Sequence, residues 1–194
     1  MERTAEVKRK TKETDILVSL NIDGEGKSDI KTGIGFIDHM LELFSKHSIC
    51  DLTIKASGDI SVDYHHTIED IGITFGQAIN KALGEKSGIT RFGSTYISMD
   101  ESLARAVVDL SGRGYLVYKF YVKDNVGGVD TELFKEFFRA VAENAQINIH
   151  IEVLYGENNH HKIEAIFKAF AVAFRQAISF NEKIKGLPST KGKL

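Results

Sequence analysis

The chain has 194 residues, a formal net charge of −2 and 42% apolar residues. This length suits one domain, or two small halves that share a core, and the charge gives no electrostatic reason to expect a nucleic-acid partner. No apolar run approaches the roughly 20 residues that a membrane-spanning helix needs, so we expect no membrane partner either.

The N-terminal segment and the single cysteine predict a cytoplasmic protein. MERTAEVKRKTKET lacks the apolar core of a secretion signal. Cys50 cannot form an internal disulfide, which agrees with a reducing compartment. Its position in the run ICDLTIKA predicts a small core residue.

The first half of the chain predicts strands followed by helices. ETDILVSLNIDGEG (Glu13–Gly26) and LTIKA (Leu52–Ala56) alternate apolar and polar residues, as strands with one buried face do. Between them, FIDHMLELF has helical spacing. The segment that begins with HHTIEDIGI predicts an amphipathic helix of about five turns. Its apolar face comprises Ile71, Phe75, Ile79 and Leu83.

The second half repeats this pattern. ESLARAVVDLSGRG (Glu101–Gly114) aligns with Glu13–Gly26, and the glutamates, the apolar positions and both glycines coincide. IHIEV (Ile149–Val153) matches LTIKA, and the helix after NNHHKIEAIF matches the helix after DYHHTIEDIG. Each half therefore reads strand, strand, helix, strand, helix, with room for a further short strand.

We predict an α+β fold with an internal duplication of a ββαβα-type unit, whose helices pack on one face of mixed sheets. The first half comprises residues 1–88. The second comprises residues 89–194 and ends in the polar tail GLPSTKGKL. We expect the halves to form a single compact domain, because paired units can bury each other's apolar faces.

Each half carries an HHxxE motif at the start of its last helix. Spacings of three and four residues allow the three side chains to project near one side of a helix. Imidazole nitrogens and carboxylate oxygens suit Mn, Fe, Co, Ni or Zn. Solvated helix ends are the alternative, but they do not explain why these residues repeat while most surface residues have diverged. The motif residues are His65, His66, Glu69, His160, His161 and Glu164.

Two further histidines complete a possible dimetal set. His39 lies near the start of the first predicted helix, and His150 lies on a predicted strand. With the doublets they give six histidines and two glutamates, enough for two metals with three histidines and one glutamate each. Such sites would keep positions open for substrate. His47, at a helix end, is more typical of a capping or surface residue.

Basic and polar residues in several short motifs suggest anion binding. A glycine-flanked arginine and a Ser-Thr-Lys-Gly segment can bring backbone and side-chain donors to a phosphate. Each of these residues alone is an ordinary surface group. The five candidates are Arg91, Arg113, Lys168, Ser189 and Lys191.

Nearly the whole chain resembles one family, imidazoleglycerol-phosphate dehydratase of histidine biosynthesis. The resemblance is specific because many motifs occur in order: FIDHML, HHTIEDIGI, RFG, MDESLAR, SGRGYLV, DTELFKEFF, HIEVLYGENNHH, EAIFKAFAVAFR and PSTKG. One departure is Leu43, which stands where the family commonly has glutamine, so a polar substrate contact is missing or replaced.

The resemblance implies a duplicated fold of the kind found in one ribosomal-protein domain, trimers that assemble into a 24-subunit shell, and two Mn²⁺ ions per subunit at sites shared between subunits. It implies that Glu13 is an acid or base near the reacting carbons, and it assigns catalytic roles also to His66 and Glu164. It assigns phosphate and substrate contacts to Glu13 and the five residues above. The implied metal ligands are His39, His65, His66, Glu69, His150, His160, His161 and Glu164.

The implied reaction removes water from imidazole glycerol phosphate and gives imidazole acetol phosphate. The proton to be removed is on a carbon with no adjacent carbonyl, so simple base catalysis would be slow. Binding the imidazole between two metals favours the imidazolate, which helps to expel the neighbouring hydroxyl. The duplication fits this chemistry, because each half supplies one near-equivalent site for one ring nitrogen.

Two alternatives remain open on the residues alone. A dimetal phosphoesterase would use the same metals and basic residues to hydrolyse the phosphate ester. A metal-buffering or shell-forming structural protein would use the metals only as staples between subunits. The phosphoesterase would release phosphate, whereas the structural protein would need neither Glu13 nor the basic tail.

Overall fold

The structure, a computed structural model, describes residues 3–194. Three strands, a helix, a strand and a second helix form the first half. In chain order they are β1 (Thr4–Lys10), β2 (Thr14–Asn21), β3 (Ser28–Lys31), α1 (Gly35–Ser48), β4 (Asp51–Gly58) and α2 (His65–Leu83).

The second half has the same order, with one added hairpin. Its elements are β5 (Phe92–Met99), β6 (Ser102–Asp109), β7 (Tyr115–Lys119), β8 (Asn125–Val126), β9 (Val129–Asp130), α3 (Glu132–Ala145), β10 (Asn148–Tyr155) and α4 (Asn159–Ile178). The short β8–β9 hairpin, which precedes α3, has no counterpart among the described residues of the first half.

The two halves form separate four-stranded sheets of equivalent topology. Their strand orders are β1-β2-β4-β3 and β5-β6-β10-β7. In each sheet two pairs are antiparallel, and the last pair, β3–β4 or β7–β10, is parallel. The predicted α+β duplication with mixed sheets is confirmed. The further short strand exists in both halves; SDIK at β3 has one buried position, so its alternation is weak.

The four helices lie between the sheets. α2 packs on β1 and β2 and against α3, while α4 packs on β5 and β6 and against α1. Phenylalanine rings join the halves: Phe44 stacks on Phe170 with centroids 5.4 Å apart, and Phe75 stacks on Phe137 at 6.5 Å. Cys50 is 0% exposed, which confirms the predicted core cysteine. Among residues 3–194, no helix is long and apolar enough to cross a membrane.

Close packing of α2 on α3 depends on a glycine. A Cβ atom on Gly72 would lie 2.8 Å from the Phe137 carbonyl oxygen and 2.9 Å from the Ala140 Cβ. We expect Gly72→Ala to lower the free energy of unfolding by about 1–3 kcal/mol, because overpacking would push the helices apart. Chemical denaturation measures this change.

Gly35 supplies the matched control for this substitution. It begins α1, is exposed, and a Cβ there would meet no atom within 4 Å. Gly35→Ala should leave stability unchanged or raise it slightly, since alanine restricts the unfolded chain. Equal unfolding curves for the two variants would contradict the proposed role of Gly72 in helix packing.

Candidate metal and phosphate site

Both histidine doublets stand at the first turns of their helices and are held there in the same way. The Asp63 Oδ1 atom accepts the backbone N–H of His65 at 2.8 Å, and the Asn158 Oδ1 atom accepts that of His160 at 2.8 Å. Such side-chain oxygens satisfy amides that have no partner within the helix. In both doublets, the backbone of the first histidine is thus held by the side chain two residues earlier.

The outer histidine of each doublet faces the glutamate four residues later. His65 Nε2 lies 3.7 Å from Glu69 Oε2, and His160 Nε2 lies 3.3 Å from Glu164 Oε2. Residues four apart on a helix are neighbours on its surface, so this pairing follows from the spacing.

His39 joins the second of these pairs. Its Nε2 lies 3.5 Å from Glu164 Oε2. Glu164 is only 6% exposed, and Lys168 Nζ lies 2.5 Å from its other oxygen. Burial raises the pKa of Glu164, but the hydrogen bond and charge of Lys168 outweigh it, so the pKa lies below its usual value. The cluster therefore holds an ionised carboxylate beside two imidazoles.

The equivalent place in the first half is different. Glu136, which occupies the position of His39 in the repeat, forms an ion pair with Arg139 on α3. Arg139 Nη2 also lies 3.4 Å from Glu69 Oε1. A cationic side chain thus links the two glutamates. Among residues 3–194, no second imidazole joins the His65–Glu69 pair as His39 joins His160 and Glu164.

The inner histidines, His66 and His161, turn away from the glutamates of their own helices. His66 Nδ1 lies 3.0 Å from Asp59 Oδ2 and 3.8 Å from Glu13 Oε2. His161 Nδ1 lies 2.7 Å from Glu101 Oε2. This differs from the expectation that all three side chains of a motif share one side, because adjacent helix residues point about 100° apart.

These contacts perturb the pKa values of the inner histidines. Hydrogen bonding to Asp59, and then the charge of Glu13, raises the pKa of His66. Hydrogen bonding to Glu101 raises the pKa of His161 and in turn lowers the pKa of Glu101 below its usual range. Sequence reasoning did not assign Asp59 or Glu101 to the site. The alignment of Glu101 with Glu13 in the repeat was a usable signal for Glu101.

His150 lies on the opposite face of its sheet from the helices. Its neighbours Ile149 and Ile151 are buried under the helices, while His150 is exposed. Alternation along a strand places these side chains on opposite faces. His150 instead lines a shallow cavity on the outer face with Arg105 and Lys119, among others.

Two groups of side chains in residues 3–194 bring at least three possible metal ligands within 4.8 Å of one another. One is His39, His160 and Glu164, and the other is Glu13, Asp59 and His66. Nitrogen and carboxylate oxygen donors fit a divalent first-row metal. Three ligands also leave positions open. Neither group alone has the predicted three histidines and one glutamate.

The predicted anion contacts lie partly together. Arg91 donates from Nε to Asp109 and from Nη1 to the Pro188 carbonyl at 2.8 Å, so it ties the C-terminal tail to the sheet. Farther along the tail, Leu194 packs so closely on Gly112 that a Cβ there would lie 2.3 Å from the Leu194 carbonyl carbon. The tail segment with Ser189 and Lys191 therefore runs between Arg91 and the turn that precedes Arg113.

The sequence of this chain is similar to those of known proteins of a single family. Residues 32–174 match the model of the family described as imidazoleglycerol-phosphate dehydratase. The chain is 56% identical over 195 residues to the imidazoleglycerol-phosphate dehydratase of Acetivibrio thermocellus, with 100% of both chains covered. It is 54% identical to that of Clostridium acetobutylicum, over 99% of this chain and 98% of the relative.

Solved structures of the same family superpose on this chain. The imidazoleglycerol-phosphate dehydratase of Staphylococcus aureus superposes with a TM-score of 0.83 at 45% identity, covering 92% of this chain and 99% of that one. The enzyme of Pyrococcus furiosus superposes with a TM-score of 0.83 at 40% identity, covering 96% and 99%.

Proposed function

Because this chain belongs to the imidazoleglycerol-phosphate dehydratase family, a family of hydro-lyases, we propose that it converts imidazole glycerol phosphate to imidazole acetol phosphate and water with two Mn²⁺ ions per chain. The reaction belongs to histidine biosynthesis. The observation that carries the metal-dependent part of the proposal is the convergence of His39 and His160 on the buried, ionised Glu164.

The proposed ligands form two incomplete sets in each chain. One metal would bind His39, His160 and Glu164, and the other would bind His65 and Glu69. The remaining ligands, which are His66, His150 and His161, would reach metals held by neighbouring copies. Supporting this, the inner histidines direct Nδ1 to carboxylates of their own chain, and His150 faces away from the helices. Manganese bound at these donors would supply Lewis acidity toward the imidazole nitrogens of the substrate and hold the ring in place.

Glu13 is the proposed acid or base of the reaction. Dehydration requires one proton to leave carbon and one proton to reach the departing hydroxyl, and a positioned carboxylate can serve either transfer. The Glu13 side chain is 55% exposed and lies 3.8 Å from His66 Nδ1. It is therefore accessible to substrate while an imidazole beside it restricts its position.

The basic residues are proposed to hold the substrate phosphate. Arg91 fixes the tail through the Pro188 carbonyl, so Ser189 and Lys191 would meet the phosphate as part of an ordered segment. Arg113, at the far side of this tail, would add a second guanidinium. Lys168 forms an ion pair with Glu164. This contact keeps its ammonium group beside the proposed metal ligands, where it would contact the polar end of the substrate.

The decisive assay incubates Mn²⁺-loaded protein with imidazole glycerol phosphate. We expect the keto product with its phosphate ester intact. Release of inorganic phosphate instead would favour the dimetal phosphoesterase, and metal binding without turnover would favour a structural metal protein.

The metal content provides a separate prediction. We expect about two Mn²⁺ ions per chain at saturation, because each half supplies an outer histidine with its glutamate. Elemental analysis of the desalted protein measures this ratio. A protein that retains no metal under saturating Mn²⁺ would contradict the ligand assignment.

We further propose a cytoplasmic 24-subunit assembly built from trimers. If metals join ligands from different chains, EDTA should shift the mass from a large assembly to smaller species, because each chain alone holds incomplete sets. Light scattering with and without EDTA measures this, with added Mn²⁺ as the reversal control. An unchanged mass after complete metal removal would argue against metal-bridged subunits.

A further inference from the structure

The two inner histidines share a contact that their sequence neighbours do not explain. Each presents Nδ1 to a carboxylate from outside its own helix. For His161 the partner is Glu101, in the β5–β6 turn, at 2.7 Å. For His66 the partner is Asp59, directly after β4, at 3.0 Å. The halves thus reach the same contact from different chain positions.

The two carboxylate oxygens of Glu101 have different hydrogen-bond partners. Its Oε1 accepts the backbone N–H groups of Glu157 at 3.1 Å and Asn158 at 2.8 Å, together with the Ser102 hydroxyl at 3.0 Å. Its Oε2 faces the His161 ring. The backbone contacts fix the carboxylate at the entrance to α4, and the free oxygen is thereby aimed at one imidazole nitrogen.

An ionised carboxylate can only accept hydrogen bonds, so the facing Nδ1 must carry the proton. In the neutral imidazole this leaves the Nε2 lone pair free, and this nitrogen is then the metal-binding atom. His161 Nε2 itself lies 3.9 Å from the exposed Asp100 carboxylate. In the first half, Asp59 Oδ2 makes the equivalent contact, while Asp59 Oδ1 is buried and has no hydrogen-bond partner among residues 3–194.

We propose that Glu101 and Asp59 are positioning residues that hold His161 and His66 in the Nδ1-protonated form, so that each ring offers Nε2 to a metal. This proposal rests on the proposed metal-dependent function. In this proposal, the Glu101 and Asp59 carboxylates belong to the site but neither bind the metal nor touch a reacting atom. Each fixes the ring orientation of one inner histidine. Carboxylate partners of this kind raise the basicity of a metal-binding imidazole.

The variant Glu101→Gln tests the contact with little change of shape. The glutamine oxygen can replace Oε1 toward the three donors, which places the NH₂ group opposite His161 Nδ1. That donor favours the tautomer with hydrogen on Nε2, which blocks the metal-binding nitrogen. We expect Mn²⁺ affinity of the full-length protein to fall about 10- to 100-fold, measured by competition with a fluorescent chelator.

A double-mutant cycle separates positioning from a structural effect on α4. If Glu101 acts through His161, Glu101→Gln should change Mn²⁺ affinity less than about threefold in a His161→Ala background, because the residue it orients is gone. If Glu101→Gln lowers Mn²⁺ affinity by the same factor with and without His161, the proposal is overturned. Thermal unfolding in EDTA verifies that each variant is folded.

The first half provides the second variant. Asp59→Ala should weaken Mn²⁺ binding about tenfold or more, and its effect should vanish in a His66→Ala background. Glu6→Gln removes a carboxylate from an exposed position on β1 and is the matched control, with unchanged affinity expected. If the wild type forms product and binds Mn²⁺, and both Glu101→Gln and Asp59→Ala bind Mn²⁺ as tightly as the wild type, only the positioning roles are refuted. Wild-type protein that binds no Mn²⁺ would refute the proposed metal dependence first.

Discussion

Replacing Glu164 with glutamine is expected to reduce kcat/KM at least about 10³-fold and to weaken Mn²⁺ binding. The carboxylate is the shared partner of His39 and His160, at 3.5 and 3.3 Å. A neutral amide is a poorer metal ligand, and metal-ion catalysis is worth several kcal/mol of barrier, where each 1.36 kcal/mol is tenfold in rate. The substitution also removes the carboxylate that pairs with the partly buried Lys168.

Steady-state kinetics at several Mn²⁺ concentrations, together with chelator competition, measure both effects. If loss of ligation is the cause, excess Mn²⁺ should restore part of the activity. Glu6→Gln, which changes a carboxylate on the exposed side of β1, should behave as the wild type. A fully active Glu164→Gln variant with normal metal affinity would remove Glu164 from the site.

Replacing Glu13 with glutamine should give a different signature. We expect kcat to fall about 10²- to 10⁴-fold, the usual contribution of a positioned acid or base, with little change in Mn²⁺ affinity. Glu13 lies 3.8 Å from His66 Nδ1, while the closer Asp59 remains to hold that ring. The variant should therefore keep its metals and bind substrate while the proton transfers become slow.

Excess Mn²⁺ distinguishes the Glu13→Gln variant from the Glu164→Gln variant, so each serves as the control for the other. Excess Mn²⁺ should not rescue Glu13→Gln, whereas it should partly rescue Glu164→Gln. Glu13→Asp, which keeps the carboxylate but shortens the side chain, should retain more activity than Glu13→Gln. Metal loss in Glu13→Gln as severe as in Glu164→Gln would mean that Glu13 acts as a ligand and not in proton transfer.

The repeat in the sequence was sufficient to predict the duplicated α+β fold. Alternating apolar residues at Glu13–Gly26 and at Glu101–Gly114 specify strands with one buried face, and the spacing after each doublet specifies an amphipathic helix. These patterns are local, because the side chains involved lie within a few residues of one another. The pairing of His65 with Glu69 and of His160 with Glu164 is local for the same reason.

The sequence by itself thus determined the repeated strands and helices, though not the β8–β9 hairpin, and the i,i+4 pairs at the helix starts. Only the tertiary structure decided that His66 meets Asp59, that His161 meets Glu101 60 residues earlier in the chain, and that His150 faces away from the helices. These contacts depend on how turns and strand ends are brought beside a helix. No spacing in the sequence records that placement, since it is set by the packing of the sheets and helices as a whole.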